Sequence, residues 1–73
     1  MTMSDHTPLA TGSHGDDVKT LQEALNKNGA TLKVDGVFGP ETEKAVRTYQ
    51  TKHALTVDGI VGPVTAKALA ADG

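Results

Sequence analysis

Three histidines, two repeated Asp-Gly turns and a thin scatter of six lysines and one arginine make up most of the chemistry this chain has available. His6, His14 and His53 lack the i, i+4 spacing of a helical metal pair and no carboxylate pattern frames them, so they read as exposed and unliganded, and no metal is expected. Asp35 and Asp58 are the natural pair to weigh for acid–base hydrolysis. Each, however, precedes a glycine in a repeated turn, which is what a structural duplication produces rather than two carboxylates with divided roles. An EF-hand-type loop needs acidic or amide ligands at alternating positions and a closing Glu, whereas each loop here offers one Asp flanked by Val. Ser13 and the threonines have no His–acid partner at a recognisable spacing, and zero cysteines remove thiol nucleophiles, thiolate zinc and disulfides. The expectation is a chain with no catalytic residue and no cofactor. Binding chemistry is what remains: Lys44, Arg47 and Lys67 as partners for carboxylates, and the polar atoms and backbone amides of the Asp-Gly turns as hydrogen-bonding groups. Phe38 and Tyr49 are the only aromatics and suit a core better than a sugar-stacking surface.

These groups must be positioned by a small scaffold. Seventy-three residues suffice for one domain and exclude a second, and a chain of this size has little stability to spare, so its large apolar residues are needed for packing. Seven basic against nine acidic residues, scattered singly, argue against nucleic-acid binding. No apolar stretch approaches the ~20 residues of a membrane helix, so no membrane insertion is expected. The start MTMSDHTP has neither the basic nor the apolar region of an export signal. Residues 1–8 read as a disordered tail and 9–71 as the domain.

Three segments carry helical spacing. Val18, Leu21 and Leu25 recur at i, i+3 and i+7, with Lys19, Gln22, Glu23 and Lys27 elsewhere on the wheel, acidic Asp16 and Asp17 at the start and Asn28-Gly29 as the stop; this predicts a helix over 16–28. Pro40 suits a first helical position, and Thr42, Ala45, Val46 and Tyr49 form the inner stripe of a second helix over 40–53. The third begins at Pro63, is predicted to last about two turns, and places Val64, Ala68 and Leu69 inward. Leu32–Val34 and Leu55–Val57 alternate apolar and polar residues and are expected to be extended connectors plugging the gap between helices, each too short for a sheet.

The chain repeats itself. Shifted by 23 residues, LKVDGVFGPETEKAV from Leu32 superposes on LTVDGIVGPVTAKAL from Leu55 with nine of fifteen positions identical. Val18-Lys-Thr-Leu-Gln22 matches Val46-Arg-Thr-Tyr-Gln50 at a spacing of 28, so five residues are inserted between the first helix and the first Asp-Gly loop, around Asn28–Thr31. Each unit is a helix, an extended step, an Asp-Gly turn and a Gly-Pro entry into the next helix. Asp35 and Asp58 are expected to cap backbone N–H groups of their own turns, with Gly36 and Gly59 supplying the unusual dihedrals and Phe38 and Val61 pointing into the core. The loops read as architecture first, with a ligand role as the second reading.

The run Leu9-x-x-Gly12-Ser-x-Gly15-x-x-Val18-x-x-Leu21-Gln22-x-x-Leu25, then Val34-Asp-Gly-x-Phe38-Gly-Pro-x-Thr42-x-x-Ala45-Val46-x-x-Tyr49-Gln50, then Leu55-x-Val57-Asp-Gly-Ile60-Val-Gly62-Pro-x-Thr65-x-x-Ala68-Leu69 resembles the peptidoglycan-binding domain of type 1. The match covers about Leu9 to Leu69. Tyr49 stands where that family usually has Phe, and Val61 replaces the aromatic that Phe38 provides in the first half. The resemblance implies an all-α, three-helix bundle that binds peptidoglycan without cutting it, works as a monomer at the cell wall or in the periplasm, and anchors a cell-wall hydrolase or transpeptidase. The residues expected to meet the ligand, in a shallow groove beside the Asp-Gly loops, are Asp35, Gly36, Thr42, Arg47, Asp58, Gly59 and Thr65. A module of the same fold that docks onto a phage or secretion-system protein without wall binding is the alternative.

Overall fold

In the computed structural model, which describes residues 8–72 and Asp72 by its backbone alone, three helices follow one another: α1 (Asp16–Lys27), α2 (Pro40–Lys52) and α3 (Pro63–Asp72). Among the described residues there is no strand, so the all-α reading holds. The tail expected over residues 1–8, His6 included, lies outside the described residues except for Pro8.

The helix boundaries follow local chemistry. Gly15 and Gly39 occupy the N-cap positions without a side-chain cap, and Asp16 and Asp17 in α1 and Glu41 and Glu43 in α2 put negative charge on the first turn, where the exposed N–H groups favour it. Asn28 and His53 are the C-caps, one residue beyond the helices proper, and Gly29 takes the left-handed conformation (φ 104°) that ends α1. In the second unit Ala54 occupies that region instead (φ 57°), the one non-glycine residue to do so among those described. Three of the five inserted residues lengthen α1 beyond its repeat counterpart and two lengthen the connector, because five residues after Gln22 are helical against two after Gln50.

α1 packs against both α2 and α3. Val18, Leu21 and Leu25 from α1, Val46 and Tyr49 from α2, and Ala66 and Leu69 from α3 close the core, with Leu9, Phe38 and Val61 supplied by the connecting segments. Phe38 and Val61 point inward as their repeat positions require. The phase of α3 differs from expectation: Thr65, Ala66 and Leu69 are buried, Ala68 is half-buried and Val64 is 68% exposed. The cause is Thr65, whose hydroxyl is tied to a buried glutamine and turns the neighbouring Val64 to solvent. In the connectors Leu32 and Leu55 pack against the core, whereas Val34 and Val57 are exposed, so the plug is leucine alone. The two connectors do not pair with each other. Instead the segment Leu9–Gly15 bonds to both loop exits: the Leu9 and Val61 amides each donate to the other's carbonyl (3.1 and 2.8 Å), Gly12 N–H donates to Phe38 O (3.0 Å), Phe38 N–H to Ser13 O (2.9 Å), and Gly15 N–H to Gly36 O (2.9 Å).

Candidate functional site

Two side chains that the wheel left off the apolar stripe organise the Asp-Gly loops. Gln22 and Gln50 are 1% and 0% exposed. The Gln22 amide nitrogen donates to Asp35 Oδ1 (3.0 Å), the Val37 carbonyl (3.0 Å) and Thr42 Oγ1 (3.1 Å), while its oxygen accepts from Gly36 N–H (3.0 Å). Gln50 repeats the pattern: it donates to Asp58 Oδ1 (2.9 Å), the Ile60 carbonyl (3.0 Å) and Thr65 Oγ1 (3.2 Å), and accepts from Asp58 and Gly59 N–H (3.2 and 3.0 Å). An amide nitrogen has two hydrogens, so in each bracket three acceptors share them. Each aspartate oxygen also accepts from the backbone N–H two residues on, Val37 and Ile60, both at 2.9 Å, closing the turn in the manner expected from the sequence. Gly36 and Gly59 hold φ of 76° and 73°, a left-handed conformation in which a side chain is strained.

Six of the seven residues expected to meet a ligand thus belong to two internal brackets: Asp35, Gly36 and Thr42 in one, Asp58, Gly59 and Thr65 in the other. Thr42 and Thr65 are buried and engaged with glutamine; Asp35 and Asp58 are exposed, with one carboxylate oxygen engaged. Arg47 joins the second group. Its Nε donates to Glu43 Oε2 (3.1 Å), Glu43 Oε1 accepts from Thr11 Oγ1 (3.1 Å), and a Cβ placed on Gly59 would stand 3.1 Å from Arg47 Nε. Lys19, the repeat counterpart of Arg47, lies against Gly36 in the same way, at 3.3 Å from such a Cβ. A basic stem therefore covers each Asp-Gly turn. Lys67, the remaining cation weighed as a carboxylate partner, is exposed on α3.

The carboxylates of these turns are held ionised. The Val37 N–H and then the Gln22 amide keep Asp35 below the usual aspartate range, with Lys33 adding a smaller attraction. Ile60 N–H and Gln50 do the same for Asp58, assisted by Arg47. Arg47 first, then Thr11, lowers Glu43. His14 and His53 are exposed, the latter with its ring 4.1 Å from that of Tyr49, and among the described residues no three His, Asp or Glu side chains converge as a metal site would require.

Surface depressions lie around this frame among the described residues. One of about 250 Å³ lies beside the first Asp-Gly loop, where a shallow groove is expected, and is lined by Gln22, Lys33, Asp35, Val37 and Thr42 among others. A second, of about 450 Å³, lies along Leu9–Asp17. A third, of about 610 Å³, runs between the end of α1, the connector Asn28–Leu32 and α2, and meets the first at Leu32 and Glu41. None of the seven expected residues lines it.

A family model of peptidoglycan binding domains matches residues 14–69. The autolytic lysozyme of Clostridium acetobutylicum is 49% identical over 49 residues, which is 62% of this chain and 14% of that protein. Among solved structures, the N-terminal domain of SleB superposes with a TM-score of 0.92 at 42% identity, over 99% of this chain and 100% of that one. The endolysin of Burkholderia phage AP3 superposes with a TM-score of 0.87 at 40% identity, over 92% of this chain and 26% of that one. The chain thus spans a small part of the lysozyme and of the endolysin, and all of the SleB domain. With the family model covering both Asp-Gly units and all three helices following the same course as in the solved relatives, the chain belongs to the peptidoglycan binding domain family.

Proposed function

We propose that this chain is a non-catalytic module that holds an associated cell-wall enzyme, a hydrolase or a transpeptidase, on peptidoglycan. The observation that carries the reading is that the family match spans both repeat units here while the same unit makes up only a minor share of a lysozyme and a phage endolysin, as an appended anchor does. The residue chemistry agrees with it. Asp35 and Asp58 are tied by N–H donors and kept ionised, a state suited to shaping a loop and unsuited to donating a proton. Weak binding is adequate for such a module, because tethering raises the effective concentration of its enzyme on a polymeric substrate. Its place of action is the cell wall, and no described helix is long and apolar enough to cross a membrane. The chain acts as a monomer. Of the seven residues expected at the ligand, Gly36, Gly59, Thr42 and Thr65 shape the loops, while Arg47 and the outward oxygens of Asp35 and Asp58 are the atoms left to meet wall polymer.

The test is co-sedimentation of the folded domain with insoluble peptidoglycan, with chitin as a glycan lacking stem peptides and circular dichroism as the check of folding. Retention on peptidoglycan is the expected result. A folded domain that stays in the supernatant at high wall concentration overturns the anchoring function and leaves docking onto a partner protein as the reading to pursue.

A further inference from the structure

Resting on that reading, we propose that the groove between the end of α1, the connector Asn28–Leu32 and α2 binds the stem peptide of peptidoglycan, not its glycan. Three observations converge on this groove. The first is where it lies in the duplication. The two Asp-Gly brackets repeat almost atom for atom, so their common features are the scaffold of both halves. The five extra residues that break the repeat extend α1 and build the connector, and Leu25 and the connector form one wall of the groove. What the second unit lacks is therefore the part that makes the cleft.

The second observation is that this wall is pre-formed. The Asn26 side chain grips Leu32 at both ends, its Nδ2 donating to the Leu32 carbonyl (2.9 Å) and its Oδ1 accepting from Leu32 N–H (2.7 Å). Asn28 Nδ2 donates to the Ala24 carbonyl (2.9 Å) and Ala30 N–H to the Leu25 carbonyl (3.1 Å). A connector held in this way has little conformational freedom left to lose when a ligand arrives.

The third is the match of shape and charge to a short peptide. Glu41, Lys44, Ala45, Thr48 and Lys52 fall on one stripe of α2 and all line the groove. At a rise of about 1.5 Å per residue the stripe from Glu41 to Lys52 is roughly 16 Å long, the span of four to five residues of extended chain at about 3.3–3.6 Å each. Lys44 and Lys52 are exposed cations on the rim and Glu41 an exposed anion, whereas Leu25, Leu32 and Ala45 make an apolar floor. A stem peptide presents the complementary set: free carboxylates, the amine of its diamino acid, and alanine methyls. A glycan strand would instead want an exposed aromatic face. Tyr49, the aromatic of this groove, is 3% exposed and lies against His53.

The experiment is an amide-resolved NMR titration of the domain with three probes: free stem tetrapeptide, disaccharide-tetrapeptide, and a chito-oligosaccharide. Both peptide-bearing probes are expected to move the amides of Ala30, Leu32, Ala45 and Thr48, and the oligosaccharide to leave them in place. The double substitution Lys44→Glu/Lys52→Glu should weaken tetrapeptide binding about tenfold or more, and Lys44→Gln/Lys52→Gln, which leaves the helix charge pattern milder, should weaken it less, with thermal melts checking both variants. Shifts confined to the loops at 35–37 and 58–60, or equal shifts with the oligosaccharide alone, overturn the groove assignment. If the wild-type domain sediments with walls but shows no groove shifts, the groove inference fails and anchoring stands. If it does not sediment, the anchoring reading itself fails.

Discussion

At the scale of single residues, the two buried glutamines account for most of what is unusual in this chain. A glutamine is seldom fully buried unless all its polar atoms are matched, and Gln22 and Gln50 meet that condition by holding an aspartate, a threonine, a carbonyl and a glycine amide at once. Gln50→Ala strands the Gly59 amide and the Thr65 hydroxyl in the interior and should destabilise the fold by about 2–4 kcal/mol, read from urea unfolding; a loss below ~1 kcal/mol would mean that water replaces the side chain. The same brackets set an acid dependence. Because Asp35 and Asp58 are lowered from an ordinary value of 3.8, their contribution to stability is complete above that pH and is lost as the pH falls through their lower folded values. The Asp35→Asn/Asp58→Asn variant keeps an acceptor oxygen but does not titrate there. Urea midpoints followed downward from about pH 5 should therefore show the wild-type curve falling toward the variant's below 3.8, and parallel curves would exclude the linkage. The aspartates and glycines were legible in the sequence from their repetition. The glutamines were not, because a polar side chain counts against an apolar stripe, although Gln22 stands four residues after Val18, within the i, i+3, i+4, i+7 pattern that the stripe follows.

At the scale of elements, each Asp-Gly turn is the hinge between an extended step and the next helix, and its glycine is required by backbone geometry. Gly36→Ala would place a methyl at positive φ and 3.3 Å from the Gly15 carbonyl and the Lys19 stem, and should cost about 1–2 kcal/mol, mainly through the dihedral since the lysine end can move. A thermal melt of the variant measures it, and an unchanged melting temperature would show that the turn relaxes to a negative φ. The starts of all three helices and the stops of α1 and α2 were readable to within a residue because Pro40, Pro63, Asn28 and Gly29 act locally, whereas α3 runs ten residues, longer than the two turns expected of it. The facing of α3 was not. Val64 and Thr65 adjoin, and hydrophobicity alone turns the valine inward; the hydrogen bond from Gln50, fifteen residues earlier in the chain, decides for the threonine.

At the scale of the whole molecule, the 73-residue chain has no cysteine and its described residues close one core, so its two halves must share α2 and be joined along the segment Leu9–Gly15. Duplication makes the frame symmetric, and the five-residue insertion makes one side of it different. The sequence alone determined the all-α fold, the repeat, the turn geometry and the family resemblance, since each rests on residue types at short fixed spacings whose physical effect is local. Only the tertiary structure decided that Thr65 faces inward in place of Val64, that Arg47 lies over Gly59 while Lys44 and Lys52 rim a cleft, and that the cleft lies beside the insertion and not beside the second loop. Those outcomes depend on which surfaces meet when α1 packs against its neighbours. Such contacts join residues far apart in the chain, and local spacing carries no record of them.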